Sequence, residues 1–211
     1  MPHPRAFFLA RGWDGKSSLG IRSQKLPFKS KSARPKPFLN ESGLYDFAVK
    51  ALGRSMRTEA ELRRLMRSRV EPGEGGEAVI AAVVARLKEQ RYLDDQSFAE
   101  TYARLRQENE KLGARGVRRK LAQKGVPARI ANEAVDARYR DTDEEVLARK
   151  HLERKRIAKP ANEKETARVM RRLVAAGFST GVIYKILRQW EVPDEAMRAL
   201  ENLDEEADES P

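Results

Sequence analysis

Residues 117–126 read "VRRKLAQKGV", and the same pattern returns at 169–178 as "VMRRLVAAGF" and at 61–70 as "ELRRLMRSRV". Placed one above another, Leu65, Leu121 and Leu173 align, and so do the basic pairs Arg63-Arg64, Arg119-Lys120 and Arg171-Arg172. Gly125 and Gly177 align as well, followed by Val126 and Phe178. A glycine at that point suits a helix C-terminus, where a left-handed residue ends the helix and the next apolar residue folds back onto it. In the first copy Arg69 stands in place of the glycine. The segment is therefore a repeated basic helix, and the chain is built from repeated units.

Outward from this helix the apolar residues keep a helical period. Leu44, Ala48, Ala51 and Leu52 share a face, as do Phe98, Tyr102 and Leu105. Val182, Ile183, Ile186, Leu187 and Trp190 form a wide stripe. Almost nothing alternates with period two. The expected helices are 44–57, 58–70 and 77–91; then 95–111, 114–124 and 128–140; then 143–157, 163–176 and 180–191. The fold class is all-α, with tandem three-helix units forming an extended, curved array. The units are placed at 43–93, 94–142 and 143–195. They are flanked by a basic, disordered arm at 1–42 and an acidic tail at 196–211.

The junction between the first two units reads "RYLDDQSFAETY" (91–102). Asp94 suits the N-cap of the following helix, accepting from the backbone N–H of Gln96 or Ser97. Asp95 in the first turn complements the helix dipole. Leu93 and Phe98 take the places of a hydrophobic staple. A catalytic use of the two carboxylates would need a histidine, metal ligand or further acid nearby, and the sequence nominates none. Leu93, Asp94, Phe98, Gly125 and Gly177 are read as structural.

The 211 residues carry a formal net charge of +11, unevenly spread. Residues 1–42 hold +7 and residues 201–211 hold −6, which leaves +10 for 43–200. A sustained positive field over folded units favours polyanionic or acidic partners. On a helical wheel with Leu121 inward, Arg115 and Arg119 point away from the core, with Lys120 and Lys124 at the flank. By the alignment above, Arg63 and Arg171 take the place of Arg119. The candidate contact set is Arg63, Arg64, Arg115, Arg118, Arg119, Lys120, Lys124, Arg171 and Arg172.

Cysteine is absent and the histidines are His3 and His151, so no metal centre or cofactor is expected. A reducing compartment is compatible with that composition. No apolar run approaches the ~20 residues of a membrane span, and a cytoplasmic location is expected. "EPGEGGEA" (71–78) lacks the Gly-Lys-Ser/Thr of a phosphate loop and reads as a link between helices. "GARG" (113–116) matches the Gly-x-x-Gly of a KH module, but the strands of that module are missing, so Gly113 is read as a break between helices. His151 is expected at the surface or its boundary. Trp190 belongs to the core stripe, and Tyr184, off the stripe, is the better candidate for exposure.

With these residues in view, the sequence resembles the RecX family of bacterial recombination regulators. Tyr92, Leu93, Asp94, Asp95, Phe98 and Ala99, then Leu121, Lys124, Gly125 and Val126, match the family pattern, and Arg91 departs from its usual glycine. The resemblance covers about 43–195 and is strongest in the middle unit. It implies a non-catalytic fold of three-helix repeats and a partner, the RecA filament on single-stranded DNA. It also implies inhibition of filament growth or ATP hydrolysis, with restraint of strand exchange and the SOS response in DNA repair. A monomer is expected. Single- or double-stranded DNA is a further partner compatible with the basic surface. Sequence-tolerant DNA or RNA binding without RecA is the alternative function.

Overall fold

The structure is a computed structural model, and it describes residues 37–192. The tail expected at 196–211, and all but the last residues of the arm expected at 1–42, lie outside the described residues.

Among the described residues the chain is helical throughout. The helices are α1 (Glu41–Arg54), α2 (Glu59–Arg67), α3 (Glu74–Glu89), α4 (Asp95–Leu105), α5 (Ala114–Gln123), α6 (Ala128–Tyr139), α7 (Glu144–Arg154), α8 (Glu163–Ala176) and α9 (Thr180–Gln189). Their starts are set by side chains that accept orphan backbone N–H groups. Asn40 accepts from Gly43, so α1 opens a turn earlier than the apolar pattern suggests. Thr58 and Glu61 form a capping box on α2. Asp143 and Asn162 cap α7 and α8.

α4 continues into a π-helical turn at Arg106–Glu110, closed by left-handed Lys111. The sequence period did not announce it. The wider turn holds Gln107 in the interior, where its amide donates to Thr142 Oγ1 at 2.8 Å. Such turns are rare and arise inside α-helices.

The units share apolar surface unequally. The first unit, α1–α3, has its own core of Leu44, Leu62, Met66, Ile80, Leu87 and their neighbours. The second and third units merge into a single larger core through Leu121, Leu152, Leu173, Phe178, Ile183 and Leu187. Leu93 belongs to the first core and Phe98 to the second, so the expected staple between them does not form. The reason is the turn before it. Arg91 is left-handed (φ 58°), and the N–H groups of Tyr92 and Leu93 fold back to Leu87 O, drawing Leu93 against α3.

The burial pattern corrects the repeat register in the first unit. Leu62 and Met66 are fully buried, as are Val117 and Leu121, while Leu65 is only half-buried. Met66, not Leu65, therefore stands at the position of Leu121 and Leu173. The N-caps agree, since Thr58 and Gly113 each lie four residues before the first of these core residues. Hence Arg64, rather than Arg63, is the counterpart of Arg119 and Arg171. Arg69 is not left-handed, and α2 ends on Ser68 without the glycine turn that Gly125 and Gly177 supply.

Candidate partner interface

The second helices of the three units meet head to tail. At the end of α8, Ala176 O accepts from Gly113 N–H at the start of α5 (3.0 Å). At the end of α5, the corresponding Lys124 O accepts from Thr58 Oγ1 at the start of α2 (2.6 Å). At the end of α2, the corresponding Arg69 O accepts from Leu39 N–H (2.8 Å). One carbonyl per unit thus receives an N–H or O–H from another segment: Gly113 and Thr58 at the starts of α5 and α2, and Leu39 just before α1. Aligned helix dipoles of this kind bring the positive N-terminus of one helix to the negative C-terminus of another.

The α8–α5 contact is backbone against backbone. A Cβ on Gly113 would lie 2.3 Å from Gly177 O, and one on Gly116 would lie 2.3 Å from Ala176 O. "GARG" therefore serves close helix approach. At the α5–α2 contact, Gly125 faces the methyl of Ala60.

The column sorts the nine candidate cations. Arg63 pairs with Glu59 at 2.7 Å, Arg118 pairs with Asp136, and Lys124 reaches Glu61 at 2.7 Å while lying over the rings of Phe98 and Tyr102. These three are held by the protein itself. Arg119 is exposed, but its guanidinium donates to Ala175 O at 2.6 Å and so caps α8. Arg64, Arg115, Lys120, Arg171 and Arg172 form no ion pair among the described residues, and all but half-buried Lys120 are exposed. In the corrected register, Arg64, Arg119 and Arg171 repeat one outward position on three successive helices.

Residues 94–135 match the family model described as RecX, second three-helix domain. That stretch is similar to the second three-helix domain of RecX. The "Regulatory protein RecX" of Oceanobacillus iheyensis is 26% identical over 162 residues, covering 75% of this chain and 57% of that relative. The chain thus matches a little over half the length of that protein. A crystal structure of RecX from Lactobacillus salivarius superposes with a TM-score of 0.55 at 22% identity, over 72% of this chain and 96% of that one. A crystal structure of regulatory protein RecX gives 0.58 at 21% identity, over 71% and 73%. These structures share the all-helical three-helix-repeat fold.

At the start of the matched region, the Asp-Asp motif ties two units together. Asp94 Oδ1 accepts from Gln96 and Ser97 N–H at 2.9 and 3.2 Å. The hydroxyl and N–H of Ser97 hold the Asp94 carboxyl below its usual range. Asp95 turns the other way and accepts from Glu59 N–H at 2.9 Å, capping the first turn of α2. Burial pushes the Asp95 carboxyl up, partly offset by the Glu59 N–H. Glu59 in turn pairs with Lys88 as well as Arg63. The first unit of this RecX fold is therefore joined to the second through polar groups and the Gly125–Ala60 contact.

Sequence reasoning missed this use of Asp95, because its partner is 36 residues away. It also misplaced two aromatic groups. His151 is buried (4% exposed), with Nδ1 3.0 Å from Glu110 O and its ring edge-on to Phe178. Burial, then the Lys155 charge, holds its imidazole below the usual value. Tyr184 is half-buried against the shared core. A signal for His151 was present, since Leu147, Ala148 and Leu152 make its helix face apolar. No helix among the described residues is long and apolar enough to cross a membrane.

Proposed function

We propose that this chain is a non-catalytic regulator that binds the RecA recombinase filament on single-stranded DNA and restrains its ATPase, strand exchange and SOS-related activity. Support comes from the similarity of 94–135 to a RecX domain and the regulatory RecX relative. The observation that carries the reading is the row of cations on the second helices that have no acidic partner among the described residues. Among the described residues no acidic partner pairs with Arg64, Arg115 or Arg171, so their charge suits an acidic protein groove or a phosphate backbone. Arg63, Arg118 and Lys124 leave the contact set, being committed to Glu59, Asp136 and Glu61.

The test is recombinase ATP hydrolysis on single-stranded DNA, titrated with this protein. Wild type is expected to lower the rate. The combined variant Arg64→Glu, Arg115→Glu and Arg171→Glu is expected to lose most of that inhibition with helicity intact. Arg118→Gln is expected to keep it. Undiminished inhibition by the triple variant would count against this surface, and no effect of wild type would remove the function itself.

A further inference from the structure

A second group of cations lies off the column. Lys150, Arg154, Lys155 and Arg156 crowd the end of α7, and Lys111 closes the π-helical extension of α4. The two ends abut, because the His151 ring on α7 sits 3.0 Å from Glu110 O, the residue before Lys111. Arg154 and Lys155 lie one turn beyond His151. Their charges contribute to holding the imidazole below its usual value, consistent with that closeness. None of the five forms an ion pair among the described residues, and Glu153 is the one carboxylate within 150–156.

Backbone conformation adds an independent observation. Lys111 and Arg156 are both left-handed, each with φ 53°. Glycine takes that conformation without strain, whereas an L side chain is crowded there. This chain uses glycine at the equivalent kind of helix end, at Gly125 and Gly177. Four other helix ends use a non-glycine residue there, Arg91, Lys111, Arg156 and Glu191, and the two that meet both carry a cation. Favourable interaction with the helix dipole accounts for a cation in the last turn but falls off beyond it.

We infer that Lys111 and the α7 end, Lys150 and Arg154–Arg156, form a contact surface for the phosphate backbone of a nucleic acid, separate from the row on the second helices. A protein partner of ordinary kind wants apolar and aromatic residues at the centre of the contact. The exposed large apolar residues of the described region are Phe38, Met56, Tyr92, Leu105 and Val146; of these Val146, one turn before Lys150 on α7, is a single residue beside the cluster, and no aromatic one lies on α7. A phosphate backbone needs only closely set cations and takes them in a sequence-independent, salt-sensitive way.

The left-handed positions supply the experiment. Lys111→Gly with Arg156→Gly removes two charges from the cluster while relaxing the backbone. Binding of the full chain to a labelled oligothymidylate and to a labelled duplex is measured by anisotropy across a KCl series, with no recombinase present. The double variant is expected to melt no lower than wild type. Its slope of log affinity against log salt should be shallower by about 1.4 on the single strand, two contacts at about 0.7 each. Should it melt lower, Arg154→Gln with Lys155→Gln, in the exposed end of the same helix, gives the same reading. Unchanged affinity and slope on both probes in either variant would overturn the inference. Because the recombinase is absent, that failure would leave the ATPase test of the proposed function intact.

Discussion

Gly177→Ala is the sharpest test of the head-to-tail column. Gly177 has φ +90°, and a Cβ there would fall 1.8 Å from Gly116 N and 2.3 Å from Gly116 Cα. Those are backbone atoms at the start of α5, so no side chain can swing away. α8 and α5 must separate, which removes the Gly113 N–H bond to Ala176 O and the Arg119 bond to Ala175 O. The left-handed alanine costs about 1–2 kcal/mol. The neutral hydrogen bond contributes about 1 kcal/mol and the charged one about 1.5–3 kcal/mol. The expected loss is about 3.5–6 kcal/mol. Urea unfolding followed by far-UV circular dichroism reads it. With a slope near 2 kcal/mol/M, the midpoint falls by about 2 M. Gly125→Ala is the internal comparison. Its Cβ would meet only the Ala60 methyl, at 2.3 Å. Ala60→Gly should therefore recover the steric part and leave about 1–2 kcal/mol of conformational strain. A Gly177→Ala protein within about 1 kcal/mol of wild type, smaller than its conformational and hydrogen-bond losses together, would refute the close-approach argument.

Three further outcomes are expected. Arg91→Gly should stabilise the protein by up to about 1 kcal/mol, because exposed Arg91 sits at φ 58° and glycine relieves that strain; a lower melting temperature would show that the side chain is needed. Asp94→Ala should cost about 1 kcal/mol through loss of the α4 cap. Because the Asp94 carboxyl is depressed in the fold, its contribution is complete above the unfolded carboxylate range and disappears as pH falls through the folded value, so the mutant and wild-type melting temperatures should converge in acid. His151 works in the same direction from a different cause. Its imidazole is depressed by burial, so the unfolded chain binds the proton more readily, and stability should fall as pH drops below about 6.5, the usual histidine value. His151→Gln should flatten the dependence of melting temperature on pH below about 6.5, and an unchanged slope would contradict the buried neutral ring.

Much of the fold was legible because its determinants are local. Helical period, N-cap side chains and C-terminal glycines act within a few residues of one another, and the observed helices follow the expected ones closely. The first-unit register was not legible, since Leu65 and Met66 are adjacent and both apolar. Only burial shows that Met66 takes the core position and that Arg64 faces outward. The π-helical turn was hidden for a similar reason, because one extra residue in a turn leaves the residue types unchanged.

The candidate interface divides along the same line. The sequence by itself determined that the second helices are basic and that one cationic position recurs in every unit. Arg63 pairs locally with Glu59, four residues away, but tertiary structure decided the other occupied cations, whose partners lie far along the chain. Glu61 is 63 residues from Lys124, and Ala175 is 56 from Arg119. A charge on a helix wheel has a direction but no neighbours. Pairing depends on which helix ends the two glycine turns and the Asp95 carboxylate bring together, and that is settled only when the units stack.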